Sequence, residues 1–342
     1  MKEPPHRLRP TGPPGTSRGG LLGAITCYFN PGGYRRKLRN YRIFRRRLTV
    51  PLVCVELSYA SHFELEPSDA DVLVQVRGQA VLWQKERLLN VALQSLPVAY
   101  EAVAWLDCDV IFERDDWPDL ALQALQDCPL VHLFHWRCNL ARTAVAESVD
   151  LSQIESQSVS LGCRVQTGRV RPDDVRRSDA PLVLGSTAGL AWATRRSVLS
   201  PYRLYDACIL GTGDRAMVAA AMGKFDYGIE ALLMNGRQIR HYLSWGRPFH
   251  AAVEGKIGYI EGRAYHLWHG DLQDRRYQER HEGLRRYEFD PSVDIAPDVS
   301  DCWRWNSNKP EMHAYVRNYF ASRNEDGADA PAREAGRPGR TG

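Results

Sequence analysis

The chain reads as an α/β protein built on a mainly parallel, Rossmann-like sheet flanked by helices. One observation is the alternation of short apolar runs with segments of helical periodicity through the first 135 residues. A second is composition: 44% hydrophobic and 25% charged residues over 342 positions is ordinary for a folded protein with a sizeable core. A third is the position of a pair of aspartates directly after one apolar run, where parallel sheets gather their ligands.

The elements follow in order. Leu22 to Phe29 reads as a strand ended by the turn Asn30-Pro31-Gly32-Gly33. Tyr34, Leu38, Tyr41, Phe44 and Leu48 recur at helical spacing. Leu52 to Leu57 and Asp71 to Val76 are the next strands, and Leu82, Leu88, Leu89 and Leu93 lie on a helix ending near Pro97. Ala102 to Leu106 is a fourth strand, and Pro129 to Phe134 a fifth after a helix around Leu120 to Leu125. Residues 140–180 are polar and weakly periodic, an insertion or a mobile acceptor-side region. Pro181 to Leu184, Gly189 to Thr194 and Ala264 to Trp268 are later strands. A helix follows Gly213-Asp214, and His313 to Tyr319 gives a closing one. The expected organisation is a single catalytic domain over 21–322, with a nucleotide-binding half at 21–135 and an acceptor and metal-histidine half at 181–322. Tails at 1–20 and 323–342, dense in Pro, Gly and charge, are expected to be disordered.

The net charge is only +4, but eight Lys and Arg crowd residues 34–47. Such a patch suits an anionic partner such as a diphosphate, a nucleic acid or a lipid headgroup, or is simply a solvated helix face. None of the eight cysteines forms a C-x-x-C pair and several sit in apolar runs, which fits free thiols in a reducing cytoplasm. No apolar run approaches the ~18 residues of a membrane span, and the start lacks a signal-peptide core. A peripheral membrane contact through the basic helix stays open; nucleic acid is not an expected partner.

Four constellations carry chemistry. Asp107 and Asp109, one residue apart at a strand end, can share a hard cation and a sugar nucleotide, with oxygen ligands suited to Mn²⁺ or Mg²⁺. His266 and His269 can complete the metal shell through a neutral imidazole, and strand alternation predicts opposite faces, so that one of them reaches the ion. In Gly211-Thr212-Gly213-Asp214, small residues precede a carboxylate at a helix start, where Asp214 can act as general base toward an acceptor hydroxyl. On the helix through Leu88 and Leu89, the residues Lys85, Arg87 and Asn90 are left available for a nucleotide.

At these residues the chain resembles the nucleotide-diphospho-sugar glycosyltransferases of GT-A-like fold. In detail it is similar to the β-1,4-galactosyltransferase and polypeptide N-acetylgalactosaminyltransferase relatives and to bacterial family 2-type transferases. Trp83 to Val91 resembles the helix before the metal site, Leu106 to Asp109 the Asp-x-Asp element, and Gly211 to Asp214 the acidic acceptor loop. The likeness spans about 22–320 in the same order. It implies a UDP-sugar donor, a glycan or other hydroxyl acceptor, manganese and an inverting transfer. It also implies that Asp109 binds the metal directly, that Asp107 holds the ribose or the metal through water, and that Asp214 is the base. The acidic loop departs from the family, since only Gly-Thr-Gly-Asp stands where the galactosyltransferases carry a longer acidic sequence. Rival readings are a sugar nucleotidyltransferase, for which Asn30 to Gly33 is a poor phosphate loop, and a non-catalytic nucleotide- or sugar-binding protein.

Overall fold

The computed structural model describes residues 20–144, 149, 151–168, 186–277 and 279–327. The first third follows the expected alternation: β1 (Leu21–Phe29), α1 (Arg35–Arg47), β2 (Leu52–Ser58), β3 (Val72–Arg77), α2 (Lys85–Ser95) and β4 (Tyr100–Leu106). Then come β5 (Val110–Phe112), α3 (Trp117–Ala124), β6 (Leu130–His132), β7 (Trp136–Leu140), β8 (Ile154–Ser160), α4 (Leu161–Gln166), β9 (Ser186–Thr187) and β10 (Ala191–Arg195). Helices dominate thereafter, with α5 (Arg196–Tyr202), α6 (Gly213–Ala221), α7 (Phe225–Ala231) and α8 (Gly236–Val253) before β11 (Ile257–Tyr259) and β12 (Arg263–His266). The chain ends with α9 (Glu279–Arg285), α10 (Pro291–Asp294), the pair β13 (Ile295–Pro297) and β14 (Trp303–Trp305), and α11 (Pro310–Ala321).

Seven strands form the main sheet in the order β11-β6-β10-β4-β1-β2-β3. β10 runs antiparallel to both neighbours, and the other pairings are parallel. Both faces are covered, so β2 reads as an unbroken apolar run with only Glu56 and Ser58 polar, and all seven of its residues are buried. Successive side chains go to opposite sides. Ile25, Cys27 and Phe29 of β1 join a core with α2, α6, α8 and α11, whereas Leu22, Ala24 and Tyr28 join one with α1 and α3.

A second sheet of five strands, β5-β12-β7-β8-β9, stands beside the first. Its own small core is Ile43, Ile111, Cys138, Leu140, Tyr265 and Leu267. Part of it comes from the stretch expected to be a loose insertion: β8 pairs antiparallel with β7. The polar reading arose because β8 exposes Glu155, Ser156 and Gln157 on a strand only half covered. The expected strand at 181–184 and much of the expected insertion lie outside the described residues.

Two further differences concern boundaries. α8 spans 18 residues although Gly236, Gly246 and Pro248 interrupt its periodicity; it is started by a reciprocal cap between Asn235 and Gln238. Disorder was expected from 323, but Arg323 and Glu325 are packed, at 5% and 3% exposure. The tails at 1–19 and 328–342 lie outside the described residues. All eight cysteines are free thiols. No helix among the described residues is long and apolar enough to cross a membrane.

His132 on β6 ties the two sheets together. It is fully buried, stacks on Trp192 at 3.8 Å between centroids, and its Nε2 donates to the Gly189 carbonyl at 3.0 Å. Burial pushes its imidazole down to about 3, against about 6.5 for an unfolded histidine. As pH falls from about 6.5 toward 3 the unfolded chain takes a proton that the folded one refuses. The stability held by the neutral ring is therefore full above that window and lost within it. In urea unfolding at a series of pH values, His132→Gln should reduce the acid loss by up to about 1.4 kcal/mol per pH unit inside the window; an unchanged slope would exclude His132 as its source.

Candidate functional site

β4 belongs to the main sheet and β5 to the second, so the chain crosses between sheets at residues 107–109. Three backbone and side-chain bonds fix the crossing. Thr26 Oγ1 donates to the Leu106 carbonyl at 2.7 Å, the Asp107 amide to Leu190 at 2.7 Å, and the Leu267 amide to Asp109 at 2.9 Å. Since β12 pairs with β5, His266 lies opposite Val110, one residue from Asp109.

Asp109, His266 and His269 bring their ligand atoms within 4.8 Å of one another, a set that could hold a metal ion. Asp109 Oδ1 is 3.7 Å from His266 Nε2, Oδ2 is 3.4 Å from His269 Nε2, and the two Nε2 atoms are 3.0 Å apart. The expectation of opposite faces fails here, because β12 ends at His266 and alternation does not extend through the turn that carries His269. Asn139 Oδ1 lies 3.1 Å from His266 Nδ1, which assigns the proton to Nδ1 and leaves Nε2 free to donate a lone pair. Burial, with Arg137 and Arg275 nearby, holds His266 well below its usual value, and burial with Arg275 does the same for His269. Both rings are therefore neutral. Burial and then Asp107 push Asp109 up to about 7, and its Oδ1 is buried with no hydrogen-bond partner among the described residues.

Asp107 stands outside that trio. Lys85 Nζ lies 2.6 Å from Asp107 Oδ1 and 3.0 Å from Asp214 Oδ2, bridging the two carboxylates. Burial opposes the ammonium, but Asp107, Asp214 and Glu86 outweigh it and hold Lys85 well above its ordinary value. Asp214 is raised by burial, against the pull of Lys85. It sits in the first turn of α6, behind two left-handed residues, Gly211 (φ 84) and Thr212 (φ 75). Gly189 leaves it room, since a Cβ there would lie 2.7 Å from Asp214 Oδ2. Glu86, pushed up to about 8 by burial, packs behind Gly213.

Arg87 and Asn90 are not at the site. Arg87 pairs with Asp206 at 3.3 Å and with Asp301, and its guanidinium lies over Trp303 at 4.3 Å. Asn90 exchanges two hydrogen bonds with the backbone of Leu204, at 2.9 and 3.0 Å. The reason is helical geometry: at about 100° per residue, a helix that turns Lys85 into the cleft turns Arg87 away. Both residues hold α2 to the loops around 204–206 and 301–303.

The trio, Lys85, Asp107 and Asp214 all line one cavity of ≈ 410 Å³. Sequence reasoning missed much of its wall. Lys37 is one of the eight basic residues of the α1 region, yet it lines the cavity and lies 4.8 Å from the centre of the Phe29 ring. Its signal was position: Asn40, three residues on, also lines the cavity and donates to the Trp268 carbonyl at 3.0 Å. Arg275, Arg280, Arg323 and Glu325 carried no signal. Arg323 Nε lies 2.6 Å from Glu325 Oε1; burial opposes the Glu325 charge, but Lys37, Arg323 and Arg275 bring it down to about 2. The segment after α11 is held across the site. Tyr34 accepts from the Asn324 amide at 3.1 Å, and Asp326 accepts from the first amides of α1 at 3.2 and 2.8 Å. Gly270 permits this approach, for its Cβ would lie 2.9 Å from the Asn324 carbonyl.

No family model matches the chain, and no curated protein matches it. Among solved structures it is similar to residues 1–349 of TarS from S. aureus in complex with UDP-GlcNAc. The identity is 11%, 72% of this chain and 58% of that one are covered, and the TM-score is 0.36. The chain thus spans less than two thirds of that TarS structure. It is also similar to glucosyl-3-phosphoglycerate synthase from Mycobacterium tuberculosis in complex with Mn²⁺, UDP and phosphoglyceric acid. Here the identity is 14%, the coverage 84% and 87%, and the TM-score 0.38. A second structure of that synthase, with phosphoglyceric acid, gives 14%, 81% and 83%, and 0.39.

A methyl at Gly213 would lie 2.3 Å from Glu86 Oε1, inside a packed wall. Gly213→Ala should lower the urea-derived stability by about 1–3 kcal/mol, despite the better helix propensity of alanine. A stability equal to the parent would show that Glu86 can yield at no cost.

Proposed function

We propose that the chain is a metal-dependent glycosyltransferase that moves a sugar from a nucleoside diphosphate, UDP in the first instance, to a hydroxyl acceptor with inversion. One observation carries the reading: a buried carboxylate oxygen without a hydrogen-bond partner among the described residues faces two neutral imidazoles, in a cavity walled by cations. Asp109, His266 and His269 would hold the ion. Two nitrogen ligands suit Mn²⁺ better than Mg²⁺, which favours an all-oxygen shell. When bound, the ion would supply Lewis-acid stabilisation of charge on the departing diphosphate.

The chain's own residues do the rest. Lys37, Arg275 and Arg280 hydrogen-bond and orient the diphosphate oxygens from a largely buried wall, where such charges act strongly. Asp107, gripped by Lys85, orients the donor beside the trio. Asp214 takes the proton of the acceptor hydroxyl; the acceptor oxygen bonds to the anomeric carbon, and the anomeric C–O bond breaks with its electron pair leaving on the diphosphate. Lys85 keeps Asp214 anionic until that proton arrives. Gly189 leaves the space beside the base that an acceptor needs.

Titration calorimetry should find UDP binding that depends on Mn²⁺. Asp109→Asn, His266→Ala and His269→Ala should each weaken Mn²⁺ by at least about tenfold, while Arg87→Gln leaves it unchanged. Parent-like Mn²⁺ affinity in all three ligand variants would sink the metal assignment. In steady-state transfer assays with a panel of UDP-sugars, Asp214→Asn should lower kcat by about 10²–10⁴ with Mn²⁺ affinity intact. Full turnover in that variant would remove Asp214 as the base.

A further inference from the structure

The cavity holds more positive charge than a nucleotide sugar can use. Among the described residues its lining carries seven Lys and Arg side chains against four Asp and Glu. A divalent cation and the two negative charges of a sugar-linked diphosphate cancel, so binding the donor leaves the excess in place. Most of these cations already have a carboxylate nearby. Lys85 has Asp107 and Asp214, Arg323 has Glu325, and Lys37 and Arg275 both act on Asp109 and Glu325.

Arg137 does not. It lies on β7, in the second sheet, where Cys138 and Leu140 turn into the small apolar core while Arg137 lines the cavity and Asn139 contacts His266. Its Nε is buried without a hydrogen-bond partner among the described residues. Among the described residues the titratable groups that interact with its guanidinium are Tyr277, Arg275, Cys138 and His266, none of them a carboxylate. Across the strand pair it stands opposite Ser158, whose hydroxyl meets Thr187 Oγ1 at 2.8 Å, and both of these also line the cavity. A half-buried guanidinium with an unmet donor, beside two hydroxyls, is a fork for an oxyanion.

Resting on the transferase reading, we infer that the hydroxyl acceptor carries an anionic group, a carboxylate or a phosphate ester, which Arg137 holds with Ser158 on the second-sheet wall. The anion would fix the acceptor by a point away from the reacting hydroxyl and orient that hydroxyl toward Asp214.

The test titrates inorganic phosphate and, separately, acetate into the full chain saturated with UDP and Mn²⁺, followed by calorimetry. At least one probe should bind the parent complex. Arg137→Gln should weaken that probe by about tenfold or more, the scale of one charge-assisted hydrogen bond, with UDP affinity unchanged. Arg137→Lys, which keeps the charge but not the fork, should fall between them, and circular dichroism checks that both variants fold. Phosphate binding alone identifies a phosphate ester, and acetate binding a carboxylate. If neither probe binds the parent complex, or if Arg137→Gln loses UDP rather than the probe, the anionic-acceptor site is wrong. If UDP does not bind the parent protein, the donor reading fails by itself, and the same titrations without nucleotide still decide whether Arg137 is an anion site.

Discussion

Asp109 is largely taken out of water where the chain first leaves the main sheet and enters the second. A lone buried carboxylate is costly, and in water-free surroundings it would protonate rather than stay charged. Here the cost is set against two imidazoles from the far end of β12 and against Lys37 and Arg275 across the cavity. The rest of the site is arranged around that arrangement. Asp107, one residue before Cys108, pairs with Lys85 rather than with the histidines, so two aspartates that differ by two positions have different partners.

Lys85 links the halves of the molecule in the same way. It reaches from α2 to the end of β4 and to the start of α6, three elements separated by long stretches of chain. The turn before α6 accepts left-handed backbone at Thr212, a conformation that costs energy for a residue with a Cβ. That turn is held by contacts of Thr212 Oγ1 with Arg280 at 2.5 Å and His281 at 3.0 Å. Strain at such a point is tolerated when the surroundings over-determine it, and it delivers the Asp214 carboxylate to the cavity.

Much of this was legible where a residue's role is set by its own neighbours in sequence. β1, β2, β4, α2 and α6 carry their apolar periodicity locally, and a strand followed by Asp107 and Asp109 points to the sheet edge. The second sheet was harder, since β5 and β12 are three and four residues long. They pair across about 150 positions, and no local pattern announces such a partner. His266 and His269 were separated by a rule that holds only while the strand lasts. Arg87 and Asn90 sit in the same helix as Lys85, and only the packing around them shows that they face Asp206, Asp301 and Leu204 instead of the cavity. Glu325 was invisible because a few ordered residues are diluted by the Pro-, Gly- and charge-rich stretch around them.

The short segment after α11 has a consequence for how the protein is made. Glu325 and Arg323 complete the wall beside the histidines, and Asp326 caps the helix that follows β1, so the end of the described chain closes on its beginning. A nascent polypeptide can assemble its main sheet well before these residues leave the ribosome, but its cavity stays open on one side until they do. Closure of the wall therefore waits on residues 323–326, and a chain stopped before Arg323 would have its sheets in place and the charge balance of its cavity wrong.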